Sequence, residues 1–176
     1  MRKIILYIAI SLDGYVADSK GRVDWLGGQD PNSQDTGTYE AFYKTIDTVI
    51  LGYNTYKQII TELSPDAWVY AGMHSYVFTS RNLENTDDIT FKNGDVVSLL
   101  KELKGKEGKD IWICGGASIV NQAIKANIID QYRITIIPTI LGSGIPLFDG
   151  KNDTIPLELT ETITTNGMVE LIYEKR

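Results

Sequence analysis

The chain has 176 residues, 43% of them apolar and 23% charged, and this ordinary globular balance predicts one domain around one hydrophobic core. The net charge of −6 argues against a nucleic-acid-binding protein and against attraction to an anionic membrane surface. A single cysteine, Cys114, and a single histidine, His74, exclude an internal disulfide and the zinc sites built from several such residues. No uninterrupted apolar run approaches the roughly 20 residues that a membrane span needs, so we expect a cytoplasmic protein.

In the first half of the chain, strand-like and helix-like segments alternate. Apolar side chains recur at helical spacing from Tyr39 onward, and Asn54 is a residue type that caps helices. The predicted elements are a buried strand over Ile4–Ser11, a helix over Tyr39–Ile46, a strand over Thr48–Leu51, a helix from Asn54 to about Leu63 and a strand over Ser75–Thr79. Between the first two lies Asp13–Gly37, rich in Gly, Asp and Ser. Such long loops are usually lids or binding loops.

The second half continues the alternation and ends in a hairpin. Asp95 predicts a helix start and Gly105 its stop. The predicted elements are a helix from Asp95 through Leu103, a strand over Asp110–Cys114, a helix over about Ser118–Asn127, a strand over Tyr132–Pro138, and strands Leu157–Thr164 and Met168–Lys175 joined by Asn166-Gly167. The pattern predicts an α/β fold, a mostly parallel sheet covered on both faces with an antiparallel hairpin at one edge. Ligands of such sheets bind at the carboxyl ends of the strands.

The most informative local pattern is the strand Asp110–Cys114 running directly into Gly115-Gly116 and then a helix. Glycines at such a turn let the backbone approach a ligand, and the free N–H groups of the helix can then bind an anion such as pyrophosphate. The segment lacks the Gly-x-Gly-x-x-Gly spacing of the Rossmann fingerprint. Spacing alone therefore leaves two alternatives, phosphate binding and an ordinary tight turn.

Two other strand ends have similar chemistry. The turn Gly52-Tyr53-Asn54-Thr55 repeats the order of strand, glycine and helix, and Thr79-Ser80-Arg81 ends a strand with hydroxyls and a guanidinium suited to phosphate. Each is weak alone, because many turns look like the first and a solvated arginine would look like the second. Three such ends in one sheet favour a single extended ligand with several phosphates.

Six segments in order along the chain resemble the dihydrofolate reductase-like superfamily, and more closely the reductase domain of the bifunctional RibD-type riboflavin-biosynthesis protein. No single segment is specific, but together they cover nearly the whole chain. The segments are 8–17 (IAISLDGYVA), 23–25 (VDW), 48–52 (TVILG), 77–81 (VFTSR), 111–116 (IWICGG) and 137–148 (IPTILGSGIPLF). The resemblance implies a dihydrofolate reductase-like three-layer fold with about eight strands.

The resemblance also implies an NADPH-dependent reductase acting on a pyrimidine- or pteridine-type heterocycle, similar to 5-amino-6-(5-phosphoribosylamino)uracil reductase, and it implies a homodimer. It carries cofactor-binding roles over to particular positions. Ala9, Val16 and Ala17 would lie near the nicotinamide; Cys114 and Gly115 beside it; Gly116, Ala117, Ser118 and Ile119 at the pyrophosphate; Gly52, Tyr53, Asn54 and Thr55 at the second phosphate-binding helix; and Thr79, Ser80 and Arg81 at the adenosine end with its 2′-phosphate. The Gly115–Gly116 peptide bond would be cis.

One residue departs from the family pattern. Members commonly have arginine where this chain has Tyr53, and that arginine helps to bind the 2′-phosphate. Arg81 would then bear more of the preference for NADPH over NADH.

The group that protonates the substrate has no clear candidate. Glu40, at the start of the first helix, matches the carboxylate of true dihydrofolate reductases approximately, but a surface glutamate fits as well. Asp24 is a second candidate, with turn formation as its alternative, and Trp25 is the tryptophan expected to touch the substrate. Water is the third possible proton source. Two other functions stay open, a true dihydrofolate reductase and a non-catalytic NADP-binding protein.

Overall fold

The computed structural model describes the whole chain, residues 1–176. It contains ten strands, four α-helices and one π-helical turn. In chain order these are β1 (Ile4–Ser11), β2 (Tyr15–Ala17), α1 (Tyr39–Tyr43), β3 (Ile46–Gly52), α2 (Tyr53–Gln58), the π-helical turn Ile59–Leu63, β4 (His74–Phe78), β5 (Ile89–Lys92), α3 (Val96–Lys104), β6 (Asp110–Gly115), α4 (Ala117–Lys125), β7 (Gln131–Ile137), β8 (Ile145–Pro146), β9 (Leu157–Thr165) and β10 (Met168–Lys175).

Eight strands form one sheet in the order β5-β4-β3-β6-β1-β7-β10-β9. The first six of these run parallel to one another, and β10 pairs antiparallel with both β7 and β9. The predicted α/β fold with an antiparallel C-terminal hairpin is confirmed. Parallel strands end on the same side, so β1, β3, β4 and β6 direct their carboxyl ends to one edge.

The core lies on both faces of this sheet, because successive side chains of a strand point to opposite sides. In β1, Ile4 and Leu6 pack with the buried faces of α3 and α4. Ile5, between them, packs on the other face with Phe42 of α1 and Ile59 of the π-helical turn. No helix of the chain has the length and apolar character needed to cross a membrane.

Two helix predictions needed correction. The helix predicted over Tyr39–Ile46 ends at Tyr43, because Thr45 folds back and donates from its backbone N and its hydroxyl to the Phe42 carbonyl, and β3 already begins at Ile46. Asn54 is not the cap of α2: the cap position is Gly52, and Asn54 lies in the first turn. By contrast Asp95 caps α3 as predicted, accepting from the backbone N of Val97 and Ser98 at 3.1 and 3.0 Å.

Three short strands, β2, β5 and β8, were not predicted from the sequence. β2 and β8 pair with each other although they are distant in the sequence, and β5 is the outermost strand of the large sheet, where it pairs with β4. Strands of two to four residues carry too little alternation to be seen before their partners are known.

Candidate active site

A cleft of about 1390 Å³ opens where the parallel strands end. It is lined by residues of β1, β3, β4, β6 and β7, and also by the long loop before α1 and the C-terminal hairpin. Every residue expected to bind the cofactor lines this cleft. These residues are Ala9, Val16, Ala17, Gly52, Tyr53, Asn54, Thr55, Thr79, Ser80, Arg81, Cys114, Gly115, Gly116, Ala117, Ser118 and Ile119.

Two of the helices that begin at the cleft follow a glycine and have no side-chain cap. Gly52 precedes α2 and Gly116 precedes α4, and neither glycine can supply a capping oxygen. The first N–H groups of a helix have no partner within the helix, and together with the helix dipole they attract an anion. By contrast, α3 begins at Asp95, which caps it and does not line the cleft.

The two turns face each other across a gap that side chains would narrow. The Gly115–Gly116 peptide bond is cis, as the resemblance implied. A Cβ atom on Gly116 would lie 3.3 Å from Thr55 Oγ1, and one on Gly52 would lie 3.7 Å from the Gly116 backbone N. We call this region, residues 52–55 and 115–119, the glycine end of the cleft. Its shape and free N–H groups fit a pyrophosphate.

Positive charge gathers at the same end. Arg81 follows β4 and its Cζ lies 4.6 Å from the centroid of the Tyr53 ring, within cation–π distance. Lys57 belongs to α2, and Lys20 precedes Gly21, whose carbonyl accepts from Gln58 Nε2 of α2 at 3.0 Å. These are the cationic residues that line the cleft, so the glycine end is the end that favours anionic groups. Tyr53, at the position where the resemblance implies an arginine, thus packs against Arg81.

The opposite end is aromatic. Tyr7, Tyr39, Tyr70 and Trp112 line it, with ring centroids 6.1 Å apart for Tyr39 and Trp112 and 5.1 Å apart for Tyr70 and Trp112. Burial raises the pKa of Tyr39 to about 12, so its hydroxyl stays protonated at neutral pH. We call this group of four rings the aromatic end. Flat rings with a polar tip suit a planar conjugated ligand.

Cys114 lies between the two ends. Its Sγ is 3.2 Å from the hydroxyl oxygen of Tyr70. Burial raises the pKa of the Cys114 thiol to about 11, which the bond to Tyr70 opposes only in part. A thiol in this state is neutral at pH 7 and a poor nucleophile. Cys114 therefore contributes shape to the cleft and not a reactive thiolate.

Two carboxylates that line the cleft were not predicted from the sequence: the exposed Glu62, which accepts from Gln58 Nε2 at 3.3 Å, and the buried Glu170. Glu170 of β10 is 5% exposed, and its Oε1 accepts from Arg133 Nε at 2.7 Å. Its Oε2 accepts from the Thr38 hydroxyl, which also lies 3.2 Å from the Tyr7 hydroxyl. Thr38 precedes α1 and makes no side-chain capping hydrogen bond to it. The one available signal was strand alternation, which places Glu170 on the same side as the buried Ile172.

The carboxylates proposed from sequence do not reach the cleft. Glu40 is exposed on the outer side of α1, because helical spacing turns Tyr39 and Phe42 inward and Glu40 away. Asp24 and Trp25 form the tip of a turn closed by the Leu26 N to Val23 O hydrogen bond. Asp24 is exposed and Trp25 half-buried, and neither lines the cleft, whereas Val23 and Leu26 do. None of Glu40, Asp24 and Trp25 lines the cleft in this structure, and contact of these side chains with a substrate stays a prediction.

The long loop that covers the cleft is held at two places. Gln58 of α2 binds the Gly21 carbonyl at 3.0 Å. Farther along, the Gln29 backbone N donates to the Asn166 carbonyl at 2.9 Å, and Asp30 N donates to Asn166 Oδ1 at 2.8 Å. The hairpin turn at Asn166 thus positions the loop, and Leu26, Thr36 and Thr38 become part of the cleft wall.

Comparison with known proteins agrees with this geometry. The family model of the RibD C-terminal domain matches residues 2–169. The chain belongs to the RibD C-terminal domain family. The protein YwjB of Bacillus subtilis is 41% identical over 175 residues, which cover 98% of this chain and 97% of that one.

Solved structures show the same fold. A Shewanella sp. PV-4 protein whose provisional name places it in riboflavin biosynthesis is 28% identical, with a TM-score of 0.84 over 99% of both chains. Dihydrofolate reductase from Enterococcus faecalis, solved with NADP(H), is 17% identical, with a TM-score of 0.69 over 98% of this chain and 96% of that one. The latter likeness shows that the RibD C-terminal domain of this chain has the dihydrofolate reductase-like fold.

Proposed function

We propose that this chain is an NADPH-dependent reductase that transfers hydride to a pyrimidine- or pteridine-type heterocycle. The observation that supports it most is the pair of uncapped helix starts, α2 and α4, facing each other across the glycine end of a cleft whose other end is aromatic. One end suits the phosphates of a dinucleotide, and the other suits a flat ring. Membership in a reductase-like family is consistent with this division.

The residues of the cleft fit such a cofactor. In our proposal Gly116, Ala117 and Ser118 hold the pyrophosphate by backbone N–H groups, with Gly115 leaving room beside them. Ile119, whose N–H donates to the Gly116 carbonyl at 3.0 Å, forms the wall next to the pyrophosphate. Gly52, Tyr53, Asn54 and Thr55 form the facing helix start, and Thr79, Ser80 and Arg81 bind the adenosine end with its 2′-phosphate. Ala9, Val16, Ala17 and Cys114, which also line the cleft, contact the nicotinamide in this proposal.

Reduced nicotinamide, when bound, supplies the hydride, and the chain supplies position and exclusion of water. The covering loop, held at Gly21 and at Asn166, reduces solvent access to the cleft. The substrate gains one hydride and one proton in the reaction. Neither Glu40 nor Asp24 lines the cleft, Glu62 lines it from the exposed π-helical turn, and Glu170 accepts from Arg133 and Thr38, so we assign the proton to water.

Two alternatives make different predictions. A true dihydrofolate reductase is favoured by the likeness in fold to the Enterococcus faecalis enzyme, and it would reduce dihydrofolate with NADPH. A non-catalytic NADP-binding protein would bind NADPH and reduce no heterocycle. The exposed position of Glu40 is an observation against the first alternative, because the matching carboxylate would not touch a pteridine.

We further propose that the chain acts as a single domain, in the cytoplasm, and as a homodimer. Three of the exposed large apolar residues lie in the segment after β7: Ile140 is 70% exposed, Phe148 is 51% exposed and Ile145 is 43% exposed. Apolar side chains grouped on a surface often mark an interface.

The test of the reductase proposal has two steps. NADPH binding is measured by calorimetry, and NADPH oxidation is then followed at 340 nm with dihydrofolate, dihydropteridines and aminopyrimidine substrates as acceptors. Oxidation that depends on an acceptor and survives in Glu40→Gln and Asp24→Asn supports the proposal with water as the proton source. Tight NADPH binding without acceptor-dependent oxidation would favour the binding protein, and no binding at all would refute the proposal.

A further inference from the structure

The aromatic end of the cleft contains a single buried ion pair. Glu170 lies on β10, and Arg133 lies beside it on β7, with the Arg133 Cζ 5.2 Å from the centroid of the Tyr7 ring. The Glu170 carboxylate accepts one hydrogen bond at each oxygen, from Arg133 Nε and from the Thr38 hydroxyl. A carboxylate offers about four acceptor positions, so roughly one is left on each oxygen of a group that lines the cleft.

Such a carboxylate has a specific partner chemistry. Two oxygens with one free acceptor position each can bind two adjacent N–H donors in parallel, as in a ring N–H beside an exocyclic amino group. The surrounding Tyr7, Tyr39 and Trp112 rings provide faces for a planar system. Buried polar groups of this kind discriminate strongly, because a ligand without donors would leave them unpaired.

The same end has no free cation. The cationic residues that line the cleft are Lys20, Lys57 and Arg81. Arg81 lies over the Tyr53 ring, Lys57 belongs to α2, and Gly21, next to Lys20, accepts from Gln58 of α2, so all three lie along α2 and not among the four rings. Arg133 is engaged by Glu170. Arg133 does not line the cleft and its charge is balanced by Glu170, so a phosphate ester placed among the aromatic rings would meet a neutral ion pair and no unpaired positive charge.

We propose that Glu170 is the specificity-determining residue of the cleft, and that it selects a planar heterocycle with two adjacent N–H donors and no phosphate. This rests on the proposed function, which assigns the glycine end to the cofactor. It narrows that function to heterocycles that present a donor edge to Glu170 and distinguishes them from phosphoribosylated ones.

The test compares two probes of the same ring. 2-Amino-4-pyrimidinone presents adjacent N–H donors, and 2,4-dimethoxypyrimidine presents none. Ligand-observed NMR titration without cofactor should show the wild-type protein binding the first probe at least tenfold more tightly, the effect expected from a charge-assisted hydrogen bond. Glu170→Gln should reduce that ratio to about two or less.

The matched control is Glu174→Gln. Glu174 lies on the same strand, is paired with Lys3 at 2.9 Å and does not line the cleft, so this variant should keep the wild-type ratio. Glu170→Gln leaves Arg133 without its partner and could unfold the protein. In that event the paired variant Arg133→Met with Glu170→Met removes both charges and should likewise lose the discrimination. Thermal unfolding checks that each variant is folded. A ratio that stays near the wild-type value in a folded variant without Glu170 would overturn the proposal.

A separate measurement tests the claim that the aromatic end selects a heterocycle without phosphate. With NADPH saturating the glycine end, guanosine 5′-monophosphate should bind no more than twofold more tightly than guanosine; both probes present a ring N–H beside an exocyclic amino group. A tenfold preference for the monophosphate would overturn that claim. If NADPH itself does not bind, the proposed function fails, whereas the pyrimidinone ratio, measured without cofactor, still decides the role of Glu170.

Discussion

Replacing Gly116 by alanine tests the phosphate role of the glycine end with the smallest possible change. The backbone of Gly116 has φ −80° and ψ −173°, which any residue can adopt. The added methyl would lie 3.3 Å from Thr55 Oγ1, so the Thr55 side chain must move by a few tenths of an ångström. We therefore expect the free energy of unfolding to change by less than about 1 kcal/mol, within the range of a mild overpacking.

The effect on cofactor binding should be much larger. The methyl enters the gap between the two turns, where the backbone must approach the pyrophosphate closely. Loss of one hydrogen bond to a charged group costs about 1.5–3 kcal/mol, which corresponds to roughly 10- to 150-fold weaker binding. Calorimetric titration of NADPH into Gly116→Ala measures this directly, and the dissociation constant should rise by at least tenfold.

The matched control is Gly105→Ala. Gly105 also has a negative φ, −81°, and its added Cβ would lie 3.5 Å from the Glu102 carbonyl, but it ends α3 and does not line the cleft. This variant should bind NADPH as the wild type does. If Gly116→Ala is folded and keeps wild-type affinity, the assignment of the glycine end to pyrophosphate is refuted.

Four other outcomes are expected. Arg81→Ala should reduce the preference for NADPH over NADH, measured by calorimetry, by about tenfold. The expected effect is at the low end for a charged hydrogen bond because Arg81 is exposed and its contact with the 2′-phosphate is partly screened. Equal loss of affinity for both cofactors would contradict this prediction. Burial raises the pKa of the Cys114 thiol to about 11 from an ordinary 9.0, so the unfolded chain loses this proton first and the free energy of unfolding falls between pH 9 and pH 11. Between pH 8 and pH 10, denaturant unfolding should show the wild type losing about 1.4 kcal/mol more than Cys114→Ala. Identical pH dependence of the two proteins would show that the thiol is not buried. Gly144→Ala would place a Cβ 2.2 Å from the Ala17 carbonyl oxygen and should lower the free energy of unfolding by about 1–3 kcal/mol, which an unchanged urea midpoint would disprove. Ile140→Glu should convert the proposed homodimer to a monomer in light scattering, and a wild-type mass near 20 kDa at micromolar concentration would reject the dimer itself.

Local pattern predicted much of the fold, since the features concerned depend on neighbours in the chain. Alternation of buried strands and helices indicated the α/β sheet, Asp95 indicated the start of α3, and Asn166-Gly167 indicated the hairpin. The glycine turns after β3 and β6 were also visible, because strand, glycine and helix follow one another within a few residues. Parallel strand order then brings those turns to one edge, where each cofactor residue predicted from the resemblance lines the cleft.

The aromatic end depended on contacts between distant parts of the chain. Glu170 meets Thr38 across 132 residues and Arg133 across 37, and nothing in the local sequence around Glu170 marks it as more than a strand residue. Glu40 drew attention through its position in the sequence, but the orientation of α1 turns it to solvent. Sequence by itself determined which backbone turns could bind phosphate, because that property is local. Which carboxylate faces the cleft was decided only by the tertiary structure, because it depends on how the hairpin, the first helix and the long loop pack against one another.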